Sequence, residues 1–353
     1  MMHIELPETQ LFTRQCGQET AWSDLYGALS VAAQYAGTAI PEQPFNAVWQ
    51  HGCIEPWLTF SPNLLCFNTP DAERKMILVA RKDERKFLRR NSFKNVRAIG
   101  LPFAYVPPSG YPRHPKSLLV VPTHTLLGDS FPDKEVFKKY VSEIVNVRSK
   151  FQDIFACIHP SCRDNGLWVD DFQAAGIQVV YGAHIDDANA LKRMRCLFDQ
   201  FEYVTTNGWG SHVAYALYCG AKVSVFGTKP GWLMQNMERD GTWSDHPDQM
   251  NDFLSDKTRE AEKHFLSRFT QEPHLGVADV STGYWLVGAG NRKSRGGMKR
   301  LLRKCYKATA KPPRSINVLA WVQQGCLYAG ASIQRKRNRL QAKIRQARDF
   351  FTR

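Results

Sequence analysis

The sequence lacks several features that would assign it quickly to a class of protein. Its nine cysteines form no C-x-x-C pair, and Cys157 and Cys162 have no companions at metal-ligand spacing, so we expect packing thiols in a reducing compartment. No apolar run approaches the roughly 20 residues that a membrane helix needs. Residues 1–7 contain neither the basic nor the apolar region of a secretory signal, so we expect none.

Acidic residues are almost absent from the C-terminal end. The whole chain carries a formal charge of +14, but residues 291–353 hold 18 Lys and Arg and a single acid, Asp349, so the rest is slightly acidic. Apolar residues alternate with these bases, Leu319 and Val322 among them, which predicts a basic amphipathic helical tail. Such a tail suits an anionic membrane surface. Nucleic-acid binding and a solvated, partly disordered segment are the alternatives.

Length and apolar content predict two globular domains before this tail. A chain of 353 residues with 43% hydrophobic residues exceeds the usual size of one domain and has enough apolar material for two cores. A proline-rich stretch at 107–112 is the best candidate for a linker. We therefore predict an N-terminal α/β domain at 1–110, a C-terminal α/β domain at 116–275 and the tail at 291–353.

Strand-like and helix-like segments alternate regularly in the predicted C-terminal domain. Apolar segments predict strands at 118–121, 154–158, 178–181 and 203–206, with a further strand after Gly220. Helical segments separate them. This alternation predicts a parallel, doubly wound sheet of the Rossmann-like kind.

Polar loops follow these predicted strands. Ligands of parallel sheets bind beyond the carboxyl ends of the strands. The turn at 207–212 also begins a helix, whose first amides are unpaired and attract an anion. The residues that we predict to bind an anion are Thr123, His124, His159, Pro160, Asn207, Gly208, Gly210, Ser211 and His212. A simple helix cap at Thr123 or Ser211 is the alternative.

Two short motifs resemble those of enzymes that use cytidine-nucleotide donors. Trp49-Gln50-His51-Gly52 resembles the H-G motif of CDP-glycerol glycerophosphotransferases, and His159-Pro160 resembles the H-P motif of those enzymes, of bacterial sialyltransferases and of Kdo transferases. The 207–211 turn lies where these families place a phosphate loop. Together with two α/β domains, the motifs resemble a GT-B glycosyltransferase, which implies two Rossmann-like domains facing a cleft.

The resemblance implies an enzyme of bacterial surface-polysaccharide or lipopolysaccharide synthesis. It would transfer a sugar from a nucleotide-activated donor, preferably a CMP-linked acidic sugar such as Kdo, to a lipopolysaccharide or capsular glycan. His51 is the first choice for the base that takes the acceptor proton, and Glu55 is the second. The other predicted residues would hold the donor. We expect no cofactor and no metal ion, because the chain contains no Asp-x-Asp motif.

Other interpretations of the same residues remain open. A CDP-polyol phosphotransferase and a sugar-nucleotide epimerase are the alternative enzymes, and a nucleic-acid-binding protein acting through the basic tail is the non-enzyme alternative. His51 beside a glycine turn could simply bond a backbone carbonyl. For the glycosyltransferase we expect a cytoplasmic location on the inner face of the membrane, with the tail as the contact.

Overall fold

The structure is a computed structural model that describes most of the chain up to Lys307. The described residues are 3–10, 22–40, 45–50, 52–54, 65, 72–124, 134–229, 251 and 255–307. A compact unit extends from Met1 to Ala308 and contains every strand and helix named below. Most of the predicted tail, residues 308–353, lies outside the described residues.

The described chain alternates strands and helices. The strands are β1 Ala47–Trp49, β2 Met76–Val79, β3 Val96–Ala98, β4 His114–Val120, β5 Asp153–Ile158, β6 Gln178–Tyr181, β7 Phe201–Thr206 and β8 Lys222–Val225. The helices are α1 Ala28–Ala36, α2 Lys82–Arg90, α3 Lys134–Asn146, α4 Pro160–Asp164, α5 Val169–Ala174, α6 Ala190–Gln200, α7 Ser211–Tyr218, α8 Asp256–Leu266, α9 Val280–Leu286 and α10 Arg295–Lys307.

Two parallel sheets organise these elements. The N-terminal sheet has three strands in the order β1-β2-β3, and the C-terminal sheet has five in the order β6-β5-β4-β7-β8. The strand order of the C-terminal sheet reverses between β4 and β7, which creates a crevice at their carboxyl ends. The predicted α/β class with parallel sheets is confirmed.

The C-terminal sheet is buried on both faces, which explains its nearly continuous apolar strands. On one face Leu118 and Val120 pack with Phe137 of α3 and Phe172 of α5. The opposite face belongs to a second core that α6 and α7 also enter. This second core continues to the N-terminal sheet through Trp49 and Leu78, so one body of packed side chains joins the two sheets.

The first part of the predicted basic tail is a helix with a buried face. Helix α10 inserts Met298, Leu301 and Leu302 into the core that also contains Leu29 and Ala32 of α1. Residues 291–307 therefore lie in the same compact unit as the two sheets. Among the described residues, no helix combines the length and the apolar character needed to cross a bilayer.

Candidate functional site

The crevice at the carboxyl ends of β4 and β7 is held together by the side chain of Asn207. Its Oδ1 accepts the backbone N–H of Thr123 at 2.8 Å and the Thr123 hydroxyl at 2.9 Å. Its Nδ2 donates to the carbonyl of Thr228 at 2.9 Å. Because Asn207 is almost fully buried, these bonds fix the loops after β4, β7 and β8 relative to one another.

Gly208 allows the loops at this crevice to approach closely. A Cβ atom at this position would lie 2.7 Å from the Thr123 hydroxyl oxygen and 3.6 Å from Cε of Lys229. Any larger residue would push these side chains away. The Lys229 side chain also lies at this crevice, and its Nζ pairs with Glu262 at 2.6 Å.

His159 presents an N–H donor for which the described residues offer no acceptor. Its Nδ1 accepts the backbone N–H of Ser161 at 3.1 Å, and the Ser161 hydroxyl lies 2.6 Å from the same nitrogen. Pro160 is the first residue of α4, where its fixed φ favours this turn. A neutral imidazole whose Nδ1 accepts a hydrogen bond carries its proton on Nε2. That Nε2 is buried and has no hydrogen-bond partner among the described residues.

His184 repeats this arrangement after the neighbouring strand, β6. Its Nδ1 accepts the backbone N–H of Asp186 at 3.1 Å, so its Nε2 also carries the proton. His184 was not among the residues predicted from the sequence. The signal was present, since a histidine follows Gly182 just beyond a strand, as His159 follows β5.

His212 and His124 complete a histidine cluster, which we define as His124, His159, His184 and His212. The His212 Nε2 lies 2.9 Å from the hydroxyl oxygen of Thr206, whose single proton goes to the carbonyl of Gly208, so the histidine is the donor. His124 stacks on His159 with ring centroids 4.6 Å apart. The four residues come from the loops after β4, β5 and β6 and from the first turn of α7.

The environment keeps two members of the histidine cluster uncharged. Burial, followed by the influence of His124 and His184, lowers the pKa of His159 to about 3. Burial and His124 likewise lower the pKa of His212 to about 3. At neutral pH both side chains are therefore neutral. Nε2 of His212 donates to Thr206, whereas Nε2 of His159 keeps an N–H that a phosphate oxygen could accept.

The first turn of α7 contacts the N-terminal sheet through Ser211. Its hydroxyl oxygen accepts the backbone N–H of Cys53 at 2.9 Å. A Cβ atom on Gly52 would lie 2.5 Å from that oxygen, so only glycine fits here without displacement. Gly210 precedes the helix in an extended conformation and leaves room for the ring of His212. Ser211 thus links the two sheets directly beside the 50–54 loop.

A buried polar network lies at the carboxyl end of β1 and β2. Gln50 accepts the Ala80 N–H at 2.9 Å and donates to the carbonyl of Gly52 at 3.1 Å and to Glu84 at 3.3 Å. Glu84 also pairs with Nη2 of Arg81 at 3.0 Å. Gln50, Arg81 and Glu84 are all buried, so they hold the start of the 50–54 loop rigidly.

The structure brings most of the residues that we predicted to bind the nucleotide-sugar donor to one edge of the C-terminal sheet. Thr123 and Asn207 bond each other, His124 stacks on His159, and His212 lies next to the same loop. The two predicted catalytic residues, His51 and Glu55, lie outside the described residues. Among the described residues, no group of three or more His, Cys, Asp or Glu side chains is arranged to hold a metal ion.

Comparison with known proteins gives solved structures of low similarity. No protein-family model matches the chain, and no curated protein matches it in sequence. UDP-GlcNAc 2-epimerase from Neisseria meningitidis, bound to UDP-GlcNAc, is 11% identical with a TM-score of 0.35 over 63% of this chain and 69% of that chain. MnaA of S. aureus in a structure with UDP is 12% identical with a TM-score of 0.36, covering 79% and 83% of the two chains.

A further similar structure is Os79 from O. sativa in complex with UDP and deoxynivalenol-3-glucoside. It is 13% identical with a TM-score of 0.33, and the alignment covers 66% of this chain and 54% of Os79. All three TM-scores are below 0.5.

Proposed function

We propose that the protein is a GT-B glycosyltransferase that binds the phosphate of a nucleotide-activated sugar at the carboxyl edge of its C-terminal sheet. The observation that supports this most directly is the buried Nε2 of His159, a donor for which the described residues provide no acceptor. A donor in this environment is satisfied by a ligand oxygen. The crevice between β4 and β7 is also where parallel sheets of this order bind ligands.

The likeness of His159-Pro160 to the H-P motif favours a CMP-linked acidic sugar, such as Kdo, as the donor. The acceptor in this proposal is a lipopolysaccharide or capsular glycan, and the enzyme acts in the cytoplasm on the inner face of the membrane. His51 takes the proton of the acceptor hydroxyl, with Glu55 as the alternative base. Neutral N–H donors and the first amides of α7 stabilise the negative charge on the departing nucleotide.

Buried contacts hold the described residues on either side of His51, the proposed base. Gln50 precedes His51, and its side chain bonds the carbonyl of Gly52, which follows it. Ser211 then ties Cys53 to the first turn of α7. These contacts connect Gln50, Gly52 and Cys53 to the helix beside the proposed phosphate site, and His51 is the sequence neighbour of two of them.

Donor turnover with and without acceptor tests the proposal and separates it from an epimerase. The full chain is incubated with CMP-linked and UDP-linked sugars, and nucleotide release and sugar products are measured. A transferase releases nucleotide in proportion to added lipopolysaccharide acceptor and forms a glycosylated product. Consumption of a donor without acceptor and without transfer identifies an epimerase, and no consumption of any donor contradicts both.

The proposed base is tested by His51→Ala. Loss of a general base lowers the rate by roughly 100- to 10,000-fold while nucleotide affinity stays near the wild-type value. His114→Ala, at the amino end of β4, is the control. Normal turnover by folded His51→Ala would assign the base to another residue.

A further inference from the structure

An exposed apolar patch lies on and before helix α9. We define the patch as Leu275, Val277, Val280, Tyr284 and Trp285, and all five side chains are exposed. The opposite side of α9 packs into the protein through Gly283 and Leu286. Val280 and Tyr284 lie one turn apart on α9, and Leu275 and Val277 shortly precede the helix. Exposed apolar side chains so close together in the chain are candidates for a contact with a membrane or another macromolecule.

A basic segment free of acids follows the patch. Residues 292–307 contain eight Lys and Arg and no Asp or Glu. While one face of α10 is buried in the core, Arg295, Arg300, Arg303 and Lys304 are exposed. The outer surface of this helix is therefore strongly positive.

The patch and the basic segment adjoin each other. A Cβ atom on Gly290 would lie 3.3 Å from Cε1 of Tyr284, and Arg292 follows two residues later. The guanidinium of Arg81 lies 4.6 Å above the Trp285 ring and holds this ring in place, but Arg81 is buried and paired with Glu84, so the cations of the surface are those of the basic segment.

We infer that the patch and the outer face of α10 together form a binding surface for anionic phospholipid. Tyrosine and tryptophan favour the interface between lipid and water, aliphatic side chains favour its apolar side, and Lys and Arg favour anionic headgroups. The inference does not depend on the proposed enzymatic function, because it requires neither a donor nor turnover.

The charge of the surface favours lipid over other partners. A second copy of the chain placed symmetrically on this surface would bring two basic helices together, which is unfavourable. A nucleic acid would satisfy the bases but would leave Leu275, Val277 and Val280 without an apolar environment. An anionic bilayer satisfies both kinds of residue.

Vesicle flotation of the full chain tests the inference. Vesicles of phosphatidylcholine alone are compared with vesicles that also contain phosphatidylglycerol. We expect binding to the anionic vesicles only. The triple variant Arg300→Gln, Arg303→Gln, Lys304→Gln should bind them roughly 100-fold more weakly, because each lost charge near an anionic surface weakens binding by about fivefold.

The apolar part is tested by Val280→Ser combined with Tyr284→Ser, which should weaken binding roughly tenfold or more. Tyr111→Ser is the matched control, since Tyr111 is 43% exposed and Tyr284 is 50% exposed. Lys82→Gln, Arg89→Gln, Arg90→Gln removes the same charge from the exposed side of α2 and should retain binding. Circular dichroism checks that every variant is folded.

Three results would overturn the inference. The first is no binding of the wild type to anionic vesicles. The second is unchanged binding by both the α10 and the patch variants, which would assign the contact to residues 308–353 alone. The third is a wild-type dimer, or oligonucleotide binding, that the patch variants abolish while vesicle binding is unaffected.

Discussion

The carboxyl edges of the two sheets use polar side chains in different ways. At the N-terminal sheet, Gln50, Arg81 and Glu84 bond mainly to one another and to nearby backbone. At the C-terminal sheet, His159 bonds through one ring nitrogen and leaves the other as a buried donor without a described acceptor. Both edges thus keep a buried N–H donor without a described acceptor, Nη1 of Arg81 and Nε2 of His159. The Arg81 guanidinium is already paired with the carboxylates of Asp83 and Glu84, whereas the His159 ring has no charged partner among the described residues, so we infer that the second edge receives an anionic ligand.

Removing the buried carboxylate of Glu84 should have the largest effect on stability. Glu84→Ala leaves the buried Arg81 guanidinium with only the exposed carboxylate of Asp83, so we expect the free energy of unfolding to fall by about 3–5 kcal/mol. Urea denaturation measures this. Asp83→Ala is the control, because the Asp83 side chain is 57% exposed and its pair with Arg81 should contribute about 1 kcal/mol or less. Equal losses in both variants would show that the buried pair of Arg81 and Glu84 contributes no more to stability than the exposed pair of Arg81 and Asp83.

The histidine cluster should make stability depend on pH. His159 and His212 have pKa values of about 3 in the folded protein, well below the ordinary value of 6.5. The unfolded chain therefore binds more protons as the pH falls below 6.5 towards 3, and stability is lost over this range. Each histidine should contribute a slope of about 1.4 kcal/mol per pH unit.

Urea denaturation at a series of pH values measures this slope. His159→Asn and His212→Asn should each lower the slope by about 1.4 kcal/mol per pH unit, because each variant removes one group that binds a proton on unfolding. His114→Asn, at the opposite edge of the sheet, should leave it unchanged. A wild-type slope that neither cluster variant alters would mean that these histidines are accessible and titrate normally.

The smallest effect concerns the contact that joins the two edges. Gly52→Ala places a methyl group 2.5 Å from the Ser211 hydroxyl oxygen, and we expect a loss of about 1–3 kcal/mol from overpacking. In a Ser211→Ala background the oxygen is absent, so the same substitution should be less destabilising. A double-mutant cycle by urea denaturation measures the difference. Additive effects would contradict the contact.

Much of the C-terminal sheet follows from the sequence because its strands are apolar and short. The predicted strands at 154–158 and 178–181 agree closely with β5 and β6. Strand β4 begins four residues before its predicted start, because His114 pairs with Phe201 and Ser117 with Asp153 although neither residue gives an apolar signal.

The site was less predictable because its decisive contacts join residues distant in sequence. Nothing near Asn207 in the chain indicates that its side chain bonds Thr123 and Thr228. From the sequence we predicted that Ser211 binds the nucleotide-sugar donor or caps the helix. In the structure its hydroxyl oxygen accepts a hydrogen bond from the backbone N–H of Cys53, which follows β1 of the other sheet. The roles proposed for His51 and Glu55 stay predictions.

Calorimetric titration with nucleotides tests the central claim most directly. We predict that a nucleotide among CMP, CDP, UDP and GDP binds the wild type, with CMP preferred. His159→Ala should weaken its affinity roughly 10- to 100-fold through loss of one hydrogen bond to a charged phosphate. His114→Ala should bind like the wild type. Failure of all four nucleotides to bind, or unchanged affinity in folded His159→Ala, would contradict the account.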